Sequence, residues 1–203
     1  MKKIYLSSLL FFGCLISLSA QDKIGIKAGI NLATEYIRMG NQSATTKIAP
    51  LFHVTAYYDA AISPGFSIQP GFSLQGKGGL TRDNGEKFTD KLLYLEVPVN
   101  FIARIATRDG DFFFGGGPYF AYGVDARITS GGRAVHLEWG SGPEQLRPFD
   151  AGLSALLGYR FSSGFTINLS SSAGMVNMSN QGEMKYLNRV TSFGVGYEFS
   201  ASR

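Results

Sequence analysis

The 203-residue chain carries 19 basic and 15 acidic residues, a net +4 that falls to +2 without Lys2 and Lys3, and the two signs are interspersed. So small and evenly spread a charge excludes a nucleic-acid partner held by a basic face. Twenty-six glycines beside 16 Phe and 10 Tyr, with no fixed period, exclude a collagen-like or disordered chain and fit a tightly curved sheet girdled by aromatics.

The first 20 residues read as a secretory signal peptide: Lys2 and Lys3, an apolar run from Ile4 to Ile16, then small Ser17, Ser19 and Ala20. Cleavage is expected after Ala20, although Leu18 is larger than the residue usual at its position. The run is too short for a membrane-spanning helix. Cys14, the one cysteine, lies inside it, so residues 21–203 have no disulfide framework. A lipid-modified cysteine is the other reading of Cys14; Gly13 suits it and Phe11 and Phe12 do not. No linker-like stretch divides residues 21–203, which are expected to form one domain.

From Lys23 the chain alternates with period two. Residues 23–34 set Ile24, Ile26, Ala28, Ile30 and Leu32 against Lys23, Gly25, Lys27, Gly29 and Asn31. The second segment sets Phe52, Val54, Ala56 and Tyr58 against His53, Thr55, Tyr57 and Asp59; the third sets Phe66, Ile68, Phe72 and Leu74 against Ser67, Gln69, Ser73 and Gln75. Eight such segments are predicted, at 23–34, 48–61, 65–77, 91–105, 112–125, 149–161, 164–176 and 189–200. Each exceeds the roughly 9–11 residues a tilted strand needs to cross a bilayer. Ser171 breaks the apolar face of the seventh. Pro70, Pro98 and Pro118 each delete a ladder donor and predict bulges.

The connections alternate between tight turns at Ser63-Pro64-Gly65, Arg108-Asp109-Gly110 and Ser162-Ser163-Gly164 and long polar stretches near 35–47, 78–90, 126–148 and 177–188. The predicted fold is therefore all-β, an eight-stranded antiparallel up-and-down transmembrane β-barrel, with turns and both termini periplasmic and long loops outside. A lipocalin-like barrel is the rival fold, but it would turn the aliphatic face inward.

Lys27, Asp59, Glu96, Arg104, Arg160 and Glu198 fall on the polar face and are expected to form a charge network inside the barrel, which eight strands leave only wide enough for side chains. Tyr119 is expected to point inward too. A narrow pore lining is the alternative reading of those charges. No catalytic triad is legible from His53 and His136, no zinc spacing exists, and Asp83, Glu86 and Asp90 lack the rhythm of a calcium loop. Gly115-Gly116-Gly117 precedes no helix and is no phosphate cradle; room for Tyr119 or a neighbouring bulky side chain is its expected use. Neither a cofactor nor an enzymatic activity is expected. In the third long stretch Trp139, the one Trp, and His136 are candidate contacts for a surface protein or glycan, or else parts of a lid over the barrel mouth.

The closing SFGVGYEF, with Ser192, Gly194, Tyr197 and Phe199, resembles the C-terminal signal read by the outer-membrane assembly machinery, though Ser200 to Arg203 follow the final aromatic. Together with GIKAGINLA, LYLEVPVNF at 93–101, FFGGGPYFAYGV at 113–124 and GLSALLGYRF at 152–161, the chain resembles the small porin-like or PorT-like outer-membrane barrels of Bacteroidetes-type bacteria. The resemblance implies the fold, contact with outer-membrane lipid and the location. It implies a role in membrane structure or surface interaction, or an accessory place in a secretion apparatus.

Overall fold

The alternation becomes a closed cylinder because eight of its segments pair in chain order and the last returns to the first. The computed structural model describes residues 22–200; the signal-peptide reading of residues 1–20 and Cys14 lies outside them. The ring consists of β1 (Lys23–Met39), β3 (Ala49–Ser63), β4 (Phe66–Asp83), β5 (Glu86–Thr107), β6 (Gly110–Ser130), β8 (Phe149–Phe161), β9 (Phe165–Gly174) and β10 (Met184–Ser200). Every neighbouring pair is antiparallel, and the closing seam runs unbroken from Lys23↔Ser200 to Met39↔Met184. With no free edge along that seam, backbone donors and acceptors are satisfied within the wall, as lipid requires. Two short strands, β2 (Gln42–Thr45) and β7 (Arg133–His136), fold back on β1 and β6.

The two faces are those read from the sequence. Ile24, Phe112, Leu153 and Phe193 are each more than half exposed on the outside, whereas Asn31, His53, Thr55 and Ser73 are buried within. Such a barrel is stabilised from outside by lipid and from inside by hydrogen bonds, the inverse of a soluble protein with an apolar core. Ser171 does face outward on β9. The turns at 64–65, 108–109 and 162–164 lie at the end that holds Lys23 and Ser200, called here the turn end; the opposite end is the loop end.

The long polar connections are shorter than expected, because the strands continue past the apolar band. β4 and β5 stay paired to Asp83↔Glu86, closing on Asn84 and Gly85 with φ of +49° and +87°. Asn-Gly is a favoured pair for a two-residue hairpin, since both positions need positive φ. Likewise β1 runs to Met39, β6 to Ser130, and β10 begins at Met184. Beyond the apolar band nothing forces an outward position to be apolar, so the periodicity fades while the backbone ladder persists.

The proline bulges do not occur. At Pro70, Pro98 and Pro118 the register on either side is unchanged. The shift within the β5–β6 ladder falls instead where Leu93 opposes Asp125 and Tyr94 opposes Gly123, leaving Val124 as the extra residue.

The interior is layered. Ile102, Phe113 and Leu156 form a small apolar plug toward the turn end. Leu92, Tyr94, Tyr119, Ala121, Ala126 and Met178 form a larger one toward the loop end. Between them lies a hydrogen-bonded belt: Asn31 Nδ2 donates to Gln75 Oε1 (2.9 Å) and to the Gly76 carbonyl (2.8 Å), and Ser192 Oγ donates to Asn31 Oδ1 (2.7 Å). His53 Nδ1 stands 2.8 Å from the same Asn31 oxygen, and Thr55 pairs with Ser73 at 2.6 Å.

Candidate functional site

Alternate residues on adjacent strands meet at common levels inside the ring, which divides the six expected network residues among three places. At the turn end Arg104 of β5 is the hub. Its Nη1 lies 2.9 Å from Asp111 Oδ1 and its Nη2 2.9 Å from Glu198 Oε1, and it also pairs with Asp59. Arg160 Nε donates to Asp111 Oδ2 (2.8 Å) and lies 3.5 Å from Glu198 Oε2. Lys23 Nζ is 3.8 Å from Glu198, and Tyr57 donates to Glu198 Oε1 at 3.2 Å. Three cations thus face three carboxylates drawn from β1, β3, β5, β6, β8 and β10.

Glu96 belongs to a second cluster near the loop end. Lys77 of β4 places Nζ 2.8 Å from Glu96 Oε2 and 3.1 Å from Asp150 Oδ2. Asp150 also accepts from Asn188 Nδ2 (3.0 Å) and the Tyr119 hydroxyl (3.3 Å). The ammonium sits 4.0 Å from the Tyr119 ring centroid and 5.0 Å from that of Tyr94, a contact strengthened where water is excluded. Tyr119 points inward, and the absent side chain of Gly152 leaves the room for its hydroxyl. The triple glycine 115–117 serves a different purpose, since a Cβ at each would strike the carbonyl of Phe101, Ser154 or Val99 on a neighbouring strand.

Lys27 stands apart. It lies over the Tyr57 ring at 5.6 Å, and Glu96 and Glu198 act on it only from beyond ion-pair distance. The residues that sequence reasoning left out of the network are Lys23, Lys77, Asp111 and Asp150. Parity was the signal for two of them: Lys77 is two residues beyond inward Gln75, and Asp150 shares the parity of inward Arg160.

Over the loop end lies a cover. Trp139 is turned in over Tyr94, ring centroids 5.5 Å apart and 66° between planes. Its indole fills the space a side chain at Gly123 would take, because a Cβ there would come within 2.4 Å of Cζ2. Leu137, Leu146 and Tyr186 pack on the same apolar plug. Asn180 fastens the cover: its Nδ2 donates to the carbonyls of Gly140, Gly142 and Gln145 at 2.9–3.0 Å, and its Oδ1 accepts from Arg147 Nε at 2.7 Å. The short isolated bridges Trp139↔Leu146 and Leu146↔Ser179 stitch 137–148 to 175–183. His136 is separate from Trp139, its side chain 70% exposed and Nδ1 3.5 Å from Asp125.

The remaining sequence candidates do not converge. Asp83 and Glu86 are exposed at the hairpin tip while Asp90 turns into the mouth, where it accepts a 2.9 Å bond from the Tyr186 hydroxyl. On the last strand Ser192 and Gly194 face inward, and Tyr197 and Phe199 lie outside, edge to face at 4.8 Å.

Between the two charge clusters the voids are small, about 40 Å³ beside Lys27, His53 and Glu96 and about 10 Å³ beside Lys27 and Tyr57. Such spaces admit at most a few waters. Separate hollows open at the ends, one of about 220 Å³ by Lys23, Asp59 and Arg104 and one of about 230 Å³ by Asp90 and Tyr186.

Residues 19–180 match the family described as "Outer membrane protein beta-barrel domain". No curated protein matches the chain. Among solved structures it is similar to the attachment invasion locus protein Ail of Yersinia pestis, at 14% identity over 88% of this chain and 98% of that one, with a TM-score of 0.45. Neisserial surface protein A is similar at 13% identity over 89% and 98%, TM-score 0.46. The outer membrane protein OprG from Pseudomonas aeruginosa is similar at 13% identity over 89% and 97%, TM-score 0.49.

Proposed function

Since the chain belongs to the outer membrane protein beta-barrel domain family, we propose that it is a non-enzymatic protein of the bacterial outer membrane, with a structural interior and with its contacts made from the loop end. The observation that carries this reading is the pair of ion-paired clusters inside the ring, separated by voids of only about 40 and 10 Å³. Eight strands enclose a lumen that side chains fill, and here they fill it. In this reading the turn end and both chain termini face the periplasm, and the loop end faces outward. The wall meets outer-membrane lipid. Ser192, Gly194, Tyr197 and Phe199 present the last strand to the assembly machinery, while exposed β7, with Val135 and His136, is the surface offered to a protein or glycan.

The segments LEVPVNF and GGGPY support a place among the PorT-like barrels of Bacteroidetes-type bacteria, and through it an accessory role beside a secretion apparatus. The test of the closed interior is conductance. The folded protein in planar bilayers should give no steady current, and Glu96→Gln should leave that unchanged. Stable channels whose ion selectivity shifts in Glu96→Gln would replace this reading with a narrow solute pore.

A further inference from the structure

The outer wall is not evenly convex. Across β1, β10, β9, β8 and β6 its outward side chains leave a groove of about 580 Å³ with an almost wholly apolar lining that includes Ala28, Ile30, Leu169 and Phe193. Gly158 and Gly194 let its floor reach the backbone. The volume lies within the roughly 300–1,000 Å³ of small-molecule sites. Toward the loop end the wall stays low, because small outward residues stand side by side there, Thr191 opposite Ser171 and Ser171 opposite Ala155.

Beyond that step, where the apolar band ends, three exposed cations face outward on β1 and β10. Arg38 and Lys185 are directly opposite in the closing seam, and Arg189 lies four residues along from Lys185 on the same face. Like charges directly opposite across an antiparallel pair are destabilising. The Arg189 guanidinium lies 4.8 Å over the Tyr36 ring, and Tyr36 stands between Arg189 and that pair, so the third cation leans toward the other two. None of the three makes an ion pair among the described residues; Arg38 Nε donates to the Gly40 carbonyl at 3.2 Å. Glu35, the acid on β1, is buried inside the ring. Arg127, outward on β6, differs in being answered by Asp125 at 2.6 Å.

A ligand for this surface must carry negative charge at the membrane edge and an apolar chain below it. We propose that the wall over β1, β10 and β9 binds one phosphate-bearing lipid, its acyl chain in the groove and its phosphate drawn up to Arg189, Lys185 and Arg38. Cations at the edge of the apolar band attract anionic headgroups, and their stems lie along apolar surface. A second copy of the chain fits less well. A two-fold contact through this face would set the same three cations against themselves. The proposal rests on the reading of the wall as lipid-facing, and it adds a preferred lipid at a defined place.

The test folds the mature chain into phosphatidylcholine vesicles holding a minor fraction of phosphatidic acid with the same acyl chains. Insertion is scored first, by migration on a gel when left unboiled. Failure there would remove the membrane reading and this site with it. Inserted barrels are then taken into non-ionic detergent and their retained lipid is counted by native mass spectrometry. One phosphatidic acid should stay with each chain, favoured about tenfold over phosphatidylcholine. Arg189→Gln, Lys185→Gln and Arg38→Gln should each lower that preference about threefold, and the triple variant should abolish it. Arg127→Gln should leave it unchanged, and Ala28→Trp should lower retention by filling the groove with the cations intact. Excess inorganic phosphate, which lacks the chain, should not displace the lipid. In phosphatidylcholine alone Lys185→Gln should not destabilise the barrel, since it removes a like-charged pair. Equal retention of the two lipids by the inserted barrel, a preference that survives the triple variant, or displacement by inorganic phosphate would overturn the site and leave the membrane reading standing.

Discussion

Arg104 on β5 and Glu198 on β10 meet at 2.9 Å across the lumen, joining two strands that are not neighbours in the wall. Through Asp59, Asp111, Arg160 and Lys23 the same hub touches three further strands and the first residue of β1. A cylinder one strand thick resists ovalisation poorly, and internal ties of this kind brace it.

Glu198→Gln should therefore destabilise the folded barrel by about 3 kcal/mol, the low end for breaking a buried pair, because Arg104 keeps Asp59 and Asp111. Reversible unfolding by urea in lipid vesicles measures it. A change within error of zero would mean that water already solvates these charges and the pair adds little.

Lys77→Met should cost more, about 3–5 kcal/mol, since it leaves Glu96 and Asp150 buried with no cation between them. Adding Glu96→Gln and Asp150→Asn to the same chain should recover most of that loss, because the penalty lies in the uncompensated charges. Failure of the triple variant to recover would show that Lys77 acts through its packing on Tyr94 and Tyr119 instead.

The cover should loosen without the barrel. Asn180→Ala removes the bonds to three carbonyls and the acceptor for Arg147, a loss of about 1–2 kcal/mol concentrated on residues 137–148 and 175–183. Acrylamide should then quench Trp139 several times more readily, while the midpoint of barrel unfolding moves little. Unchanged quenching would place the cover's stability in the Trp139–Tyr94 contact alone.

How much of this was legible depends on what the environment enforces. Lipid demands apolar outward positions, so Ile24 to Leu32, Phe52 to Tyr58 and Leu93 to Ile105 could be read residue by residue, and with them the inward set. Past the band that demand lapses, and the pairing of 78–83 with 86–91 carried only one local sign, Asn84-Gly85. The prolines misled for a related reason: a missing donor interrupts one bridge without adding a residue, so the register survives. The register shifts fall elsewhere, at Ala61–Ser63 in the β3–β4 ladder and at Val124 in the β5–β6 ladder; the second lies beside Gly123, whose missing side chain leaves the space that Trp139 fills, a contact between residues that alternation does not relate. The charge network was legible as an inward set but not as a pairing, since parity gives a residue's face and not its partner across the lumen. Lys27 shows this, lying inward yet stacked on Tyr57 away from both clusters.

The last strand offers a test that separates chemistry from burial. Phe199 and Phe161 are both lipid-facing, 48% and 39% exposed, and each lies near another aromatic ring, Tyr197 at 4.8 Å and Tyr159 at 4.9 Å. Loss of either ring should cost a similar amount of lipid contact and a ring–ring term of about 0.5–1.5 kcal/mol. If the spacing of Ser192, Gly194, Tyr197 and Phe199 also addresses the assembly machinery, Phe199→Ala should reduce assembled protein in cells severalfold more than Phe161→Ala. The two variants should nevertheless refold into vesicles with similar yield, since no machinery acts there. Assembled protein is scored as the fraction that migrates differently when left unboiled, because a closed ring with no free edge resists cold detergent. Equal losses in cells would assign Phe199 a purely lipid-facing role and remove the assembly-signal reading of the closing stretch.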